Sequence, residues 1–231
     1  MAALRIFKVV QPAPGILSLI RAYRDGVIRY KTLRDALEKI EKFHFSFNAI
    51  TSSRSSGGIS GMYSSFGRQI FDGSDSNAVG RAISDLVAKL QEREVDESEF
   101  DVGFAQIQYT RTHSSLKALV QYILRKLALH EGQPFIGDSE DLTIEHLLPQ
   151  SSVKAGAREN VVGQIGNLFL VDTKTNEMLS TNDFSAKRDI LLTRGYKLPN
   201  LLLESDGLTD DVVAANTARI AALARSVIWK V

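Results

Sequence analysis

The stretch IEHLLPQSSVKAGARENVVGQIGNLFLVDTKTN, residues 144–176, decides the fold of this chain. It contains two short apolar segments that are bounded by turn-forming residues, a pattern typical of β-strands. His146 ends the first segment, and Leu168 begins the second. The polar residues after the second segment are suited to begin a helix. The sequence therefore predicts a strand-loop-strand-helix unit with an imidazole at the end of its first strand.

The order of the polar residues in this unit resembles the ββα-metal nucleases of the HNH class. It is most similar to the C-terminal domain of GmrSD-type restriction proteins, in which a Glu/Asp-His-x-x-Pro block precedes a Gly-Asn-Leu strand and a later Asn. The residues that match these motifs are Glu145, His146 and Pro149, then Gly166, Asn167 and Leu168, then Asn176. A further Asn…Phe-x-x-Lys-Arg pattern matches Asn182, Phe184, Lys187 and Arg188.

The resemblance implies a metal-dependent DNA endonuclease that acts as the effector part of a restriction or phage-defence protein. His146 would be the general base, because neutral histidine accepts a proton near neutral pH. One divalent ion, expected to be Mg²⁺ with Mn²⁺ as the alternative, would be held by Glu145 and Asn176, since Mg²⁺ prefers oxygen ligands and keeps several waters. Adjacent strand residues point to opposite faces, so Glu145 and His146 would both reach the metal side only where the strand bends.

Three further residues receive roles from the resemblance. Asn167, placed with His146 and Asn176 among the catalytic residues, would tie the loop to the hairpin through side-chain hydrogen bonds. Lys187 and Arg188 would bind a phosphate of the substrate, although a solvated helix face also explains Arg188.

The composition of the chain limits the classes of function that it can have. The 231 residues carry a net charge of +1, so no strong overall field attracts DNA, and we expect weak, salt-sensitive DNA binding. The chain has no cysteine, which excludes disulfides and thiolate metal sites and favours a cytoplasmic location. No apolar run approaches the length of a membrane span, so no membrane partner is expected.

The pattern of apolar residues predicts a mostly α, α+β fold. A helical body over residues 1–135 would be followed by an HNH-type ββα-metal unit with closing helices over residues 136–231. The boundary would lie in GQPFIGDSED, residues 132–141, where Gly, Pro and acidic residues cluster. SSRSSGGISG, residues 52–61, would be a flexible connector. The helices expected in the body span residues 14–26, 32–51, 60–72, 76–93, 97–107 and 114–130.

The C-terminal part of the chain carries clear helix boundaries. Asp183 is placed to cap a helix over residues 184–194, which Gly195 would end. Pro199 would begin a short segment, and Thr209 would cap a final helix that reaches Val231. Trp229 is expected to pack on the core from this helix, and Arg219 lies on it too. Of the other histidines, His44 is expected to be a packed or surface residue. His113 and His130, which flank the helix over residues 114–130, are expected to be surface residues.

Two other functions stay open at this point. The unit could be an inactive scaffold of the same fold that binds DNA or a protein. A serine hydrolase would pair Ser151 or Ser152 with His146, but no Gly-x-Ser-x-Gly elbow is present.

The resemblance also implies partners for the chain. In GmrSD-type proteins a nucleotide-hydrolysing domain with an Asp-Gly-Gln-Gln-Arg type motif precedes a region like this one. That motif does not occur here, so this chain is expected to be the C-terminal part of a longer protein. Its substrate would be DNA, either modified or unmodified.

Overall fold

The computed structural model describes residues 2–51, 57–73, 75–134, 141–152 and 159–231. Over these ranges the chain is mostly helical and contains a two-stranded antiparallel sheet, which confirms the predicted mostly α, α+β class. None of the described helices is long and apolar enough to cross a membrane.

The chain forms two compact units. Unit 1 contains Met1–Phe100 and Trp229–Val231, and unit 2 contains Asp101–Ile228. The predicted domain boundary at residues 135/136 stays a prediction, and residues 135–140 of its linker lie outside the described residues. The two compact units divide earlier, so the helix that precedes this linker belongs to the same unit as the strands.

Unit 1 is built from helices whose starts follow from local sequence. Pro14 lies in the first turn of α2, where its missing amide hydrogen costs nothing. The Asp75 side chain caps α5 by accepting from the amides of Asn77 and Ala78. Half of the predicted connector, residues 52–56, lies outside the described residues. Its last three residues, 59–61, are already helical and correct the connector prediction there. The helices are α1 (Ala2–Ile6), α2 (Ala13–Arg24), α3 (Tyr30–His44) with a π-helical turn at Phe45–Ile50, α4 (Ile59–Asp72), α5 (Ser76–Gln91) and the start of α6 (Glu97–Ala105).

His44 is a buried polar residue in unit 1. Its ring is fully buried; Nδ1 donates to Asn48 Oδ1 at 2.6 Å, and Nε2 accepts from the Tyr63 hydroxyl at 2.9 Å. Burial lowers the pKa of His44 from 6.5 to about 4, because a charged ring would lose its hydration, although the Asn48 hydrogen bond opposes the shift. The structure thus places His44 among the packed residues, one of the two alternatives expected from the sequence.

Unit 2 contains the hairpin and the helices around it. β1 and β2 pair in a regular antiparallel register in which Glu145 faces Phe169 and His146 faces Leu168. The elements are α7 (Lys117–Glu131), β1 (Leu142–His146), α8 (Glu159–Val162), β2 (Leu168–Asp172), α9 (Thr173–Leu179), α10 (Phe184–Thr193), α11 (Asn200–Leu203) and α12 (Asp210–Leu223), with 3-10 turns at Gln150–Ser152 and Ile165–Asn167. The predicted strand-loop-strand-helix order is present in β1, β2 and α9.

The closing helices of unit 2 follow the predicted caps. Asp183 accepts from the Ala186 amide at the start of α10, and Thr209 accepts from the Val212 amide at the start of α12. The predicted final helix was too long. After Leu223 the chain widens into a π-helical turn at Ala224–Ile228, a geometry with i→i+5 hydrogen bonds. Trp229 then leaves the helix and stacks on Phe45, with ring centroids 3.9 Å apart within unit 1.

The burial of His44 predicts that the protein loses stability at acid pH. Because the folded pKa of His44 is lowered, its stabilisation is fully present above pH 6.5 and is lost as the pH falls toward 4. We expect this residue alone to remove about 3 kcal/mol of unfolding free energy over that range. Urea unfolding at pH 7 and pH 4.5 measures the effect. His44→Gln is the control and should show a smaller pH slope; equal slopes in both proteins would contradict the assignment.

Candidate nuclease site

The end of β1 presents the two central motif residues in opposite directions. Glu145 reaches Lys187 on α10, whereas the ring of His146 reaches the carbonyl group of Tyr109, in the segment before α7. The ladder stays in register through His146, so β1 has no bend that would turn both side chains to one side. The alternation of strand side chains therefore holds, and the two residues serve neighbouring but different positions.

His146 is held as a neutral proton acceptor. Its Nε2 lies 2.9 Å from the Tyr109 carbonyl oxygen, which can only accept, so Nε2 carries the proton. Nδ1 is then the unprotonated nitrogen, and the Gln150 amide donates to it at 3.3 Å. Burial lowers the pKa of His146, and the charges of Lys187 and Arg111 lower it further, while the Tyr109 hydrogen bond opposes them. The ring is therefore neutral near pH 7.

The two partners of His146 are themselves fixed. The Arg111 amide donates to Gln150 Oε1 at 3.0 Å, which turns the amino group of Gln150 toward the imidazole. The Tyr109 amide donates to the Gly163 carbonyl oxygen at 2.9 Å. A Cβ on Gly163 would lie 3.0 Å from Thr110 Cγ2, so a larger residue here would require the threonine side chain to shift. Sequence reasoning missed Tyr109 because a backbone carbonyl leaves no signal in side-chain identity.

Glu145 forms a buried ion pair with Lys187. Lys187 is fully buried; its ammonium donates to Glu145 Oε1 and, at 2.7 Å, to the carbonyl oxygen of His146. Burial raises the pKa of the Glu145 carboxyl, and the Lys187 ammonium and the His146 amide oppose that shift. The carboxylate predicted to bind a metal is thus already neutralised by a cation of the protein.

Asn176, the other predicted metal ligand, lies half-buried on α9. Its side chain makes no hydrogen bond to any described residue. Asp172 holds the start of α9 by accepting from the amide and hydroxyl of Thr175, at 2.9 and 2.6 Å. Burial would raise the pKa of Asp172, but the bonds from Thr175 and Tyr196 and the charge of Arg194 lower it to about 2. Because α9 packs on both strands, Asn176 is carried on an element fixed to the hairpin.

The donor chemistry at these positions fits a hard divalent ion. Glu145 and Asn176 offer a carboxylate and an amide oxygen, the ligands that Mg²⁺ prefers. Within the described part of the chain no group of three or more histidine or acidic side chains lies together as a metal site. A bound ion would therefore rely on these two protein oxygens together with water and substrate.

Asn167 joins the two ends of the loop. Its side chain is fully buried; Oδ1 accepts from the Leu148 amide at 2.7 Å, and Nδ2 donates to the carbonyl oxygens of Leu148 and Val162 at 3.1 and 2.8 Å. These are the kind of side-chain bonds expected from the sequence. They fix the residues that follow His146, whereas a direct catalytic role for Asn167 stays a prediction.

Gly166 is covered by α12. A Cβ at this position would lie 2.5 Å from Thr217 Oγ1 and closer still to the Val213 carbonyl oxygen. Its amide donates to Thr217 Oγ1 at 3.2 Å, and its carbonyl oxygen accepts from Asn216 Nδ2 at 2.7 Å. The glycine of the motif is thus required by helix packing, which the sequence pattern of α12 did not reveal.

Arg219, also on α12, supports this contact. It donates to Asn216 Oδ1 at 2.9 Å and pairs with Glu131 at 3.3 Å.

The two predicted phosphate ligands are engaged with the protein. The ammonium of Lys187 donates to Glu145 and to the His146 carbonyl oxygen, as described above. Arg188 donates to the carbonyl oxygens of Leu203 and Ser205, at 3.3 and 2.7 Å, and so holds the end of α11. Their role in binding substrate stays a prediction, and neither cation is presented freely. Of the other histidines, His113 and His130 are exposed, as expected.

Removing the Asn167 side chain tests its structural role. Asn167→Ala would leave three backbone groups, two in the half-buried Leu148 and one in the buried Val162, without their bonds. We expect a loss of about 3 kcal/mol in unfolding free energy. Asn182→Ala is the control, because the exposed Asn182 makes a single bond to Met178 and should cost less than about 1 kcal/mol. Urea unfolding of both variants gives the comparison; equal losses would show that Asn167 does not hold the loop.

Comparison with known protein families gives a match to this chain. The model of the GmrSD restriction endonucleases, C-terminal domain, matches residues 94–223, which is more than half of the chain and contains all the motif residues described above. Comparison with curated proteins gave no match. The matched region includes the hairpin, His146 and α12, the helix that packs over Gly166. The chain therefore belongs to the family of GmrSD restriction endonuclease C-terminal domains.

Proposed function

We propose that this chain is a metal-dependent DNA endonuclease of the HNH type. The observation that carries the proposal is the state of His146. Its Nε2–H is held by the Tyr109 carbonyl group, so the neutral ring offers Nδ1 as a proton acceptor. A nucleophilic water needs such a base to lose its proton near neutral pH. The family match to restriction endonucleases supports DNA as the substrate.

The residues of the chain divide the work of hydrolysis. His146 accepts the proton from water at Nδ1 after Gln150 moves away, since the amide of Gln150 donates to that nitrogen in this structure. Asn167 keeps the segment after His146 in place. Glu145 and Asn176 would hold one Mg²⁺ or Mn²⁺ ion. When bound, that ion supplies charge stabilisation at the phosphate and the leaving oxygen.

The biological setting belongs to the same proposal. We propose a restriction or phage-defence role, with a nucleotide-hydrolysing domain as partner and modified or unmodified DNA as substrate. The net charge of +1 supports weak binding of DNA by this chain alone, because few phosphates are neutralised at once. Selection of the target would then rest with the partner domain.

One observation favours the second candidate function, an inactive binding module of the same fold. The Glu145 carboxylate already has a cation, Lys187, in contact. An inactive module would bind DNA and leave it uncut at every Mg²⁺ or Mn²⁺ concentration. No observation supports the serine hydrolase. The hydrogen bonds of the His146 ring nitrogens go to Tyr109 and Gln150, and the side chain of Ser152 lies outside the described residues.

The general base is tested by His146→Ala. We expect the rate of plasmid nicking in Mg²⁺ to fall at least about 100-fold, the usual contribution of a general base. His130→Ala is the matched control, because His130 is exposed at the end of α7 and should leave the rate unchanged. Circular dichroism confirms that both variants are folded. Nicking by His146→Ala at the wild-type rate would exclude the histidine as base.

The metal ligands are tested by Mg²⁺ titration of the nicking rate. We expect Asn176→Ala to raise the concentration for half-maximal rate by about 10-fold or more while the fold is kept. Glu145→Ala should raise it too and should also lower stability, because the buried Lys187 loses its partner. Glu177→Ala, an exposed neighbour on α9, is the control. An unchanged titration for Asn176→Ala would remove that residue from the ligand set.

A further inference from the structure

Lys187 carries a charge that has been taken completely out of water. Its side chain is 1% exposed, against 10% for the side chain of Glu145, its partner. Burying an ammonium is unfavourable unless other groups replace its hydration. Two acceptors do so here, the Glu145 carboxylate and the His146 carbonyl oxygen. Both belong to adjacent residues of the nuclease motif, so the lysine is directed at the site and not merely at the surface of α10.

Helix α10 fixes the position of this ammonium. Asp183 caps the helix, and Phe184 and Leu191, one turn on either side of Lys187, are buried in the core of unit 2. Lys187 therefore lies on the buried face of α10, and its stem passes through the core to the end of β1. The neighbouring cation, Arg188, points elsewhere and binds carbonyl oxygens at the end of α11. The two basic residues of the motif thus have separate contacts.

The charges at the proposed metal position sum to zero. Glu145 contributes one negative charge, Lys187 one positive charge, and Asn176 none. A divalent ion that approaches Glu145 meets a carboxylate that is already paired, and it is repelled by the ammonium in contact with Oε1. The phosphate of a DNA substrate would supply the missing negative charge. Ion and DNA would then each raise the affinity for the other, because coupling between two ligands is reciprocal.

We propose that Lys187 is an internal cation that competes with the divalent metal for Glu145 and so keeps the site weakly loaded until DNA is bound. This inference rests on the proposed function, since it takes Glu145 as a metal ligand. It assigns Lys187 to the regulation of metal binding and not to the substrate phosphate. The lysine acts through Glu145 and is therefore a positioning residue with a charge effect, not a catalytic one.

The test is the affinity for Mn²⁺ in the absence of DNA, measured by calorimetry on the full chain. We expect Lys187→Met to bind Mn²⁺ at least 10-fold more tightly than the wild type, because removing a charge in contact with the ligand oxygen removes its repulsion. Arg188→Met is the matched control; it removes the adjacent charge, which does not contact Glu145, and should change the affinity less than 3-fold. Nicking by Lys187→Met should also reach half its maximal rate at a lower Mg²⁺ concentration than in the wild type.

A second variant guards against loss of folding. If Lys187→Met does not fold, Lys187→Gln replaces it, because the amide is neutral and still donates a hydrogen bond to the carboxylate or the carbonyl oxygen. The expected gain in Mn²⁺ affinity is the same. A structural role alone would lower the melting temperature and leave the Mn²⁺ affinity at the wild-type value, which would overturn the inference. A weaker affinity would also overturn it, since Lys187 would then be holding Glu145 in the geometry that the metal needs.

The outcomes separate this inference from the proposed function. A wild type that nicks DNA, together with neutral Lys187 variants that bind Mn²⁺ no more tightly, would overturn the inference and leave the nuclease in place. Tighter Mn²⁺ binding by the neutral variants, with no nicking by any protein, would support the competition and overturn the nuclease. If neither the wild type nor the neutral variants bind Mn²⁺, and no protein nicks DNA, both are overturned.

Discussion

The hydrogen bonds of the Asn167 side chain hold the site together. They join Leu148, just after the first strand, to Val162, at the far end of the loop, and the backbone of Asn167 also accepts from the Leu147 amide. A single buried amide thus joins the two described ends of the loop. His146 lies just before this clamped segment, so the position of its backbone depends on these bonds. Asparagine suits this position because one short side chain accepts one hydrogen bond from the backbone and donates two to it.

The site combines a neutral histidine, the proposed base, with a carboxylate that is paired with a lysine. His146 is neutral and its proton position is set by the Tyr109 carbonyl group, which prepares it for proton transfer. Glu145, one residue earlier, is paired with Lys187 and is not freely available. Because the strand alternates, the two side chains point to opposite faces of the hairpin. Lys187 still links them, because its ammonium contacts Glu145 and its charge lowers the pKa of His146. The proposed base and the proposed metal ligand thus have different surroundings that share one cation.

Much of this arrangement follows from the sequence, and the parts that do not follow have physical reasons. The strand ends, the caps at Asp183 and Thr209, and the role of Asn167 in tying the loop are carried by residue types with strong local preferences. The contacts of Tyr109 and Lys187 are long-range: one uses a backbone group, and the other spans 42 residues of sequence. From sequence alone, a lysine in a helix is expected to be exposed, because its buried carboxylate partner cannot be identified. The end of the final helix was also missed, because a π-helical turn differs from an α-helix in hydrogen bonding and not in composition.

The packing of α12 over Gly166 determines when the contacts of this glycine can form during synthesis. The amide and carbonyl oxygen of this glycine are held by Thr217 and Asn216, which follow 51 and 50 residues later in the chain. A nascent chain whose α12 has not yet left the ribosome lacks these bonds. Its Gly-Asn turn then lacks two of the contacts that hold it in the folded chain. If the chain is the endonuclease proposed above, its site would be completed only after α12 has been made.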